Sequence, residues 1–322
     1  MDQLSLFGGD ERPDLVRGVT PSECQVAAAS RLSEHLYMGT SSWSFPGWEG
    51  IVYDRKATQR VLARHGLKAY ATHPLLRCVG IDRTYYAPIT ANEYAAYANV
   101  VPEQFRFVVK AHELTTRATI RPTSRGAKSY QNASFLDPKY AVDEVVRPCL
   151  EGLGEKLGVL LFQFPPQSLG ALGGTKGFVE RLSRFLDALP KGPVYAVELR
   201  NPELLSAGYV RALDNAGACH CFNVHPTMPS LQDQVQRTAG VSFPLLFVRW
   251  MLKRDCTYDE AREAFTPFDR IAAEDAESRR QIATMCRRAI SQRQRAFVVV
   301  NNKAEGSAPL SVFKLAEELA GD

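Results

Sequence analysis

Short runs of apolar, β-branched and aromatic residues recur along the chain, separated by longer amphipathic stretches. This alternation is the pattern of repeated strand–helix units. Eight such runs are present, at 36–41, 77–82, 105–110, 158–164, 193–200, 219–225, 245–250 and 296–302. Between them lie helix-favouring stretches such as 91–99, 176–189, 203–216, 274–294 and 309–319, several opened by Ser, Thr or Pro. A doubly wound sheet usually has fewer strands and leaves open edges, so eight alternating units predict an α/β fold of the closed, TIM-like (β/α)8 type.

The barrel is expected to occupy 36–322 as a single domain, preceded by a mobile arm and short helix over 1–35. Long connections follow the first, third and seventh runs, at 42–53, 111–138 and 251–273. All three join a strand to the next helix and therefore belong on the active-site face of such a barrel.

Nearly every apolar run ends in a polar residue. These tips are Thr40 with Ser41, Asp82, Lys110, Gln163, Glu198 with Arg200, Asn223, Arg249, and Asn301 with Asn302. Strand side chains alternate between faces, so Ala196, Glu198 and Arg200 share the inward face, and Gln163 shares it with Val159 and Leu161. Lys110 lies opposite Phe107 and Val109. Polar tips arise in part because strands end where polar residues begin. That reason covers Lys110, Glu198 and Arg249 poorly, since an ionised group inside a barrel is costly unless it is paired or meets a ligand.

A ligand site and a structural ion network remain the two readings of any one of these residues; as a set they favour a ligand site. In that reading Glu198 is the first choice for acid–base chemistry, with Lys110 and Arg249 holding an anionic group or a developing oxyanion. Lys110 as a Schiff-base nucleophile is the lesser alternative. Thr40, Trp43, Asp82, Tyr85, Tyr86, His112, Gln163, Arg200, Asn223, Asn301 and Asn302 are candidate substrate contacts. Tyr85 and Tyr86 stand directly after Asp82 and suit a sugar or base, whereas Trp48 and Tyr53 read as packing.

Composition narrows the classes. The 322 residues are 45% hydrophobic and 23% charged, which is ordinary globular usage. A net charge of +4 permits an anionic substrate or weak attraction to nucleic acid, without a dedicated basic patch. The opening residues, with Asp2, Asp10 and Glu11, lack a secretory apolar core. No apolar run has membrane-span length. The expected location is cytoplasmic, where seven scattered cysteines without a CxxC pair are reduced thiols.

A metal site is not expected, because Lys110 and Arg249 would crowd a cation held by Asp82, His112, Glu198, Cys219, Cys221 or His225. No cofactor is implied either. The glycine-rich stretch 170–177 fails the Walker spacing and reads as a turn into a helix. The segment 301–307 is a better anion site, lying between the last strand and a helix N-terminus, although a Ser-capped helix alone would look the same.

Taken in order, Gly39-Thr40-Ser41-Ser42-Trp43, Gly80-Ile81-Asp82-Arg83-Thr84-Tyr85-Tyr86, Phe107-Val108-Val109-Lys110, Phe162-Gln163-Phe164-Pro165-Pro166, Val197-Glu198-Leu199-Arg200, Val248-Arg249 and Asn301-Asn302 resemble the YecE-like proteins, domain of unknown function seventy-two. The resemblance runs from about Tyr37 to Leu319 and implies a TIM-related barrel without assigning an activity. The sequence departs from the family pattern at three places: Asp82 stands where Glu is usual, Asn201-Pro202 replaces a His, and Arg249-Trp250-Met251-Leu252 replaces an Arg-x-His-Gly turn. The last change implies a site rebuilt around the loop 251–273 or an altered activity.

A second resemblance lies in the arm. Gln3-Leu4-Ser5-Leu6-Phe7 is similar to the peptide by which bacterial replication and repair proteins bind the sliding clamp, with Leu4, Leu6 and Phe7 as apolar anchors and Gln3 as hydrogen-bonding partner. The same side chains would also serve to pack under the barrel. Two functions follow as expectations: a small-molecule enzyme of the hydrolase, lyase or isomerase kind acting on an anionic or sugar-like substrate, or a clamp-tethered DNA-maintenance protein that binds or processes nucleic acid.

Overall fold

Each of the eight apolar runs forms a strand in the computed structural model, which describes residues 16–120 and 128–321. In chain order the strands are β1 (Leu36–Thr40), β2 (Cys78–Ile81), β3 (Arg106–Lys110), β4 (Thr119–Ile120), β5 (Tyr130–Gln131), β6 (Leu157–Gln163), β7 (Tyr195–Glu198), β8 (Cys219–Val224), β9 (Leu246–Trp250) and β10 (Ala296–Val300). Eight of them close a parallel barrel in the order β1-β10-β9-β8-β7-β6-β3-β2, while β4 and β5 pair as a small antiparallel ribbon. Closure is made where β1 runs beside β10 from Leu36 opposite Ala296 to Thr40 opposite Val300.

Parallel strands covered on both faces must be apolar on both, which is why β8, β9 and β10 are buried throughout. The pleat then sorts the side chains. Cys78, Val108, Val159, Leu161, Ala196, Cys219, Cys221, Phe247, Phe297 and Val299 fill the barrel. Their neighbours Val79, Phe107, Val109, Phe162, Val197, Val248 and Val298 pack under the helices in a larger core. Gly39 sits where the first two strands meet most closely: a Cβ there would stand 1.8 Å from the Cys78 carbonyl oxygen.

The helices expected from the sequence are present as Ala91–Ala98, Gly174–Ala188, Ala207–Ala216, Ala276–Ser291 and Ala308–Ala320. The glycine-rich stretch is the break between two helices: Gly173, at φ +78°, ends Leu169–Leu172, and Gly174 opens Gly174–Ala188. Helical segments that the apolar pattern did not announce run through 138–153, Leu231–Arg237 and Tyr258–Phe265. The last has a Thr257/Glu260 capping box inside the long connection after β9. The third connection, expected as a loop, carries β4 and β5.

Ahead of β1, helix Glu23–Arg31 begins with a Ser22/Gln25 capping box and packs on the final helix Ala308–Ala320. The Arg77 guanidinium reaches back to its end, donating to the Ala29 and Ser33 carbonyls at 3.1 and 2.9 Å. Gln3, Leu4, Leu6 and Phe7, of the peptide similar to a clamp-binding motif, lie outside the described residues. Among the described residues no helix is long and apolar enough to cross a membrane.

Candidate active site at the barrel mouth

The alternation that fills the barrel with apolar side chains delivers its next inward position, at the C-terminal end of each strand, to a polar layer. Glu198 follows Ala196, Lys110 follows Val108, Gln163 follows Leu161, Asn223 follows Cys221, Arg249 follows Phe247, and Asn301 follows Val299. Register aligns them, with Gln163 beside Glu198 and Asn223 beside Arg249. Asp82, Lys110, Gln163, Glu198, Arg200, Asn223, Arg249 and Asn301 therefore meet in one layer, as the strand ends suggested.

Glu198 is the hub of that layer. Its carboxylate is fully buried and lies between two guanidiniums, one oxygen paired with Arg200 and the other with Arg249 at 2.5 Å. Arg249, itself buried, also donates to Gln163 Oε1 and Asp82 Oδ2, each at 3.3 Å. Burial alone would push the Glu198 carboxyl up, but Arg200, Arg249 and Lys110 together hold it below the usual carboxylate range. Arg249 stays charged for the complementary reason: burial opposes its charge, while Glu198 and Asp82 more than offset that. A carboxylate so held resists protonation. It orients two arginines.

Lys110 is placed differently. Its ammonium lies 3.7 Å over the Tyr85 ring and makes no ion pair or side-chain hydrogen bond with any described residue. Burial draws the amine down to about 8; Asp82 and Glu198 pull it up, and Arg249 and Arg200 push it further down. Tyr85 is buried and receives a hydrogen bond from Arg117 Nε at 3.1 Å, so the ring beneath the lysine is fixed. The layer also holds an unused acceptor, because Asn223 Oδ1 is buried without a hydrogen-bond partner.

The remaining candidates divide. Tyr86 stands on the rim, 77% exposed. His112 is buried and its Nδ1 meets the Tyr140 hydroxyl at 2.6 Å. Trp43 is buried with its ring edge-on to Tyr97, which makes it a wall of the mouth-side loops.

Two candidates belong elsewhere. Thr40, expected as a substrate contact, is on the helix side of β1, its hydroxyl 2.9 Å from that of Tyr70; the inward positions of that strand are Tyr37, Gly39 and Ser41. Asn302 is likewise turned outward, where its Oδ1 accepts from Trp48 Nε1 and from the Ala308 amide. That second bond occupies the helix N-terminus expected to bind an anion, so the segment 301–307 is closed by its own side chain. Asn301 does reach inward, donating to Ser41 Oγ at 2.9 Å.

Two residues around the mouth escaped the sequence reading, Arg117 and Tyr258. Both sit on connections where no periodicity applies. Lys303, within the segment 301–307, has its ammonium 4.2 Å over the Tyr258 ring. Among the described residues no three His, Cys, Asp or Glu side chains converge as metal ligands. All seven cysteines are free thiols.

Such a layer defines a (β/α)8 barrel protein with a closed apolar core and a charged layer at its mouth. Residues 37–322 match the family described as protein of unknown function DUF72, and the chain belongs to that family. A DUF72 family protein of Thermotoga maritima is similar in structure, with TM-score 0.60 and 21% identity over 88% of this chain and 98% of the other. One from Enterococcus faecalis gives TM-score 0.56 and 18% identity over 88% and 95%. The UPF0759 protein YunF of Bacillus subtilis is 28% identical over 131 residues, 41% of this chain. That alignment spans only 40% of the length of YunF.

Proposed function

We propose that the mouth binds a small anionic, sugar-like substrate and that Lys110, with Glu198 and Arg249 as its fixed surroundings, carries the proton transfer. The observation that supports this reading is the state of Lys110: it is the one cation of the inner layer that makes no ion pair among the described residues. Arg200 and Arg249 already serve Glu198, so a bound anion has Lys110 as its open partner. An amine drawn down to about 8 also exchanges its proton near neutral pH, where a general acid–base is most effective. Glu198, the first choice from sequence, becomes a positioning residue because its two arginines keep it ionised. Asp82, 32% exposed at its side chain, is the carboxylate that faces the entrance.

The same depressed amine favours a second reading, in which neutral Lys110 attacks a substrate carbonyl and forms an imine with loss of water. Borohydride trapping separates the two, since only the imine leaves a covalent adduct on Lys110. For the anionic site itself, sugar phosphates and small carboxylates are screened by their shift of the unfolding temperature of wild type and Lys110→Met. The expected result is a ligand-dependent rise in wild type that disappears in the variant. Equal shifts in both proteins would show that Lys110 does not hold the anion.

A further inference from the structure

The exposed large aromatic side chains among the described residues are Tyr86, Tyr130 and Tyr258. All three rise from connections that follow β2, β3 and β9, the mouth end of the barrel. Two of them are propped from beneath. Tyr258 rests on the Lys303 ammonium at 4.2 Å, and Lys303 is 8% exposed. Tyr86 abuts Tyr85 edge-on at 5.4 Å, and Tyr85 is pinned by Lys110 and Arg117.

The Tyr86 phenol is raised by burial first and then by Tyr258 and Asp82, and both tyrosines stand on connections at the mouth end of the barrel. A ring held open to water loses burial energy unless something stacks on it. The Lys110 ammonium lies on the same Tyr85 ring that Tyr86 abuts.

We propose that the ligand of the mouth is a phosphate-bearing nucleobase, its base stacked on Tyr86 and Tyr258 and its phosphate on Lys110. This names the anionic substrate of the preceding subsection and rests on that reading. The buried, unpartnered Asn223 Oδ1, in the layer below the rim, is an acceptor suited to a ribose hydroxyl. Two sources share this chemistry, a free nucleotide and the 5′-phosphorylated end of a nucleic acid strand.

The test is a calorimetric titration of the full chain with adenosine 5′-monophosphate, ribose 5-phosphate and a 5′-phosphorylated trinucleotide, repeated with Tyr86→Ala/Tyr258→Ala, the matching Tyr→Phe pair, and Lys110→Met. Stacking is worth enough for the nucleotide to bind at least about tenfold more tightly than ribose 5-phosphate. The alanine pair should erase that difference and leave ribose 5-phosphate unchanged, the phenylalanine pair should preserve it, and Lys110→Met should weaken every ligand. Tighter binding of the trinucleotide assigns the site to strand ends, and tighter binding of the mononucleotide to free nucleotides; either supports the shared chemistry. Equal affinity for nucleotide and ribose 5-phosphate overturns the nucleobase while leaving the anionic site standing. Failure of all three ligands to bind overturns both.

Discussion

A lysine that lies largely buried without an ion pair lowers stability, and replacing it measures whether it is kept for the fold or for a ligand. Lys110→Met retains the aliphatic stem and sets a thioether over Tyr85, a favourable contact in its own right. In the folded chain the amine is drawn from 10.5 to about 8. At about 1.4 kcal/mol per pKa unit, keeping it charged costs about 3 kcal/mol relative to the unfolded chain. That shift already contains every interaction of the charged amine, the Tyr85 contact included, so Lys110→Met should be more stable than wild type by about 3 kcal/mol at neutral pH.

The pH dependence follows from linkage. Below about 8 the amine is protonated in both states and the full cost is present. Between about 8 and about 10.4 the unfolded chain binds more protons than the folded one, so wild-type stability rises with pH relative to the variant. The gain from Lys110→Met should therefore shrink across that window and vanish above it. Urea unfolding at several pH values reads this directly. A variant less stable than wild type at neutral pH, or a gain that ignores pH, would refute the argument and make Lys110 a member of the structural network.

Other outcomes are expected of the same structure. Glu198→Gln leaves Arg200 and Arg249 facing each other in the interior and should cost about 3–5 kcal/mol in urea unfolding at neutral pH. Because the carboxyl is held low in the folded state, its contribution is complete above the unfolded pKa of about 4.3 and is lost only as pH falls below it; a difference from wild type that closes above that value would contradict the pairing. Adding Arg249→Met to Glu198→Gln should cost less than the two single changes together, and strict additivity would show that the pair does not interact. Asn302→Ala removes the partner of both Trp48 and the Ala308 amide, a loss of about 1–3 kcal/mol by thermal unfolding with no change in ligand affinity. Gly39→Ala forces a Cβ to 1.8 Å from the Cys78 carbonyl oxygen, so soluble yield should fall sharply; normal yield and stability would show that β1 and β2 can separate there.

The chain announced its barrel because parallel strands buried on both faces write themselves as uninterrupted apolar runs, and eight of them leave closure as the economical arrangement. Period two also fixed which residue of each strand tip faces inward, and so Asp82, Lys110, Gln163, Glu198, Arg200, Asn223, Arg249 and Asn301 were legible as one set. Thr40 and Asn302 were misassigned for a related reason: each is one position away from an inward residue, Ser41 or Asn301, and polarity alone does not distinguish the two faces of a strand. Helices at Leu231–Arg237 and Tyr258–Phe265 were obscured by short length and mixed polarity.

What the residues do to one another is a different kind of information. Sequence placed Glu198, Arg200 and Arg249 at the mouth, but only barrel closure brings Arg249 from β9 against Glu198 on β7 and Asp82 after β2. That pairing decides that Glu198 stays charged while Lys110 is left to titrate. The rim of Tyr86 and Tyr258 comes from connections more than a hundred residues apart, with no periodicity to relate them. Local patterning is set by the geometry of one strand or one helix and can be read along the chain. Charge state and ligand shape depend on distances between strands and loops that meet only when the barrel is closed.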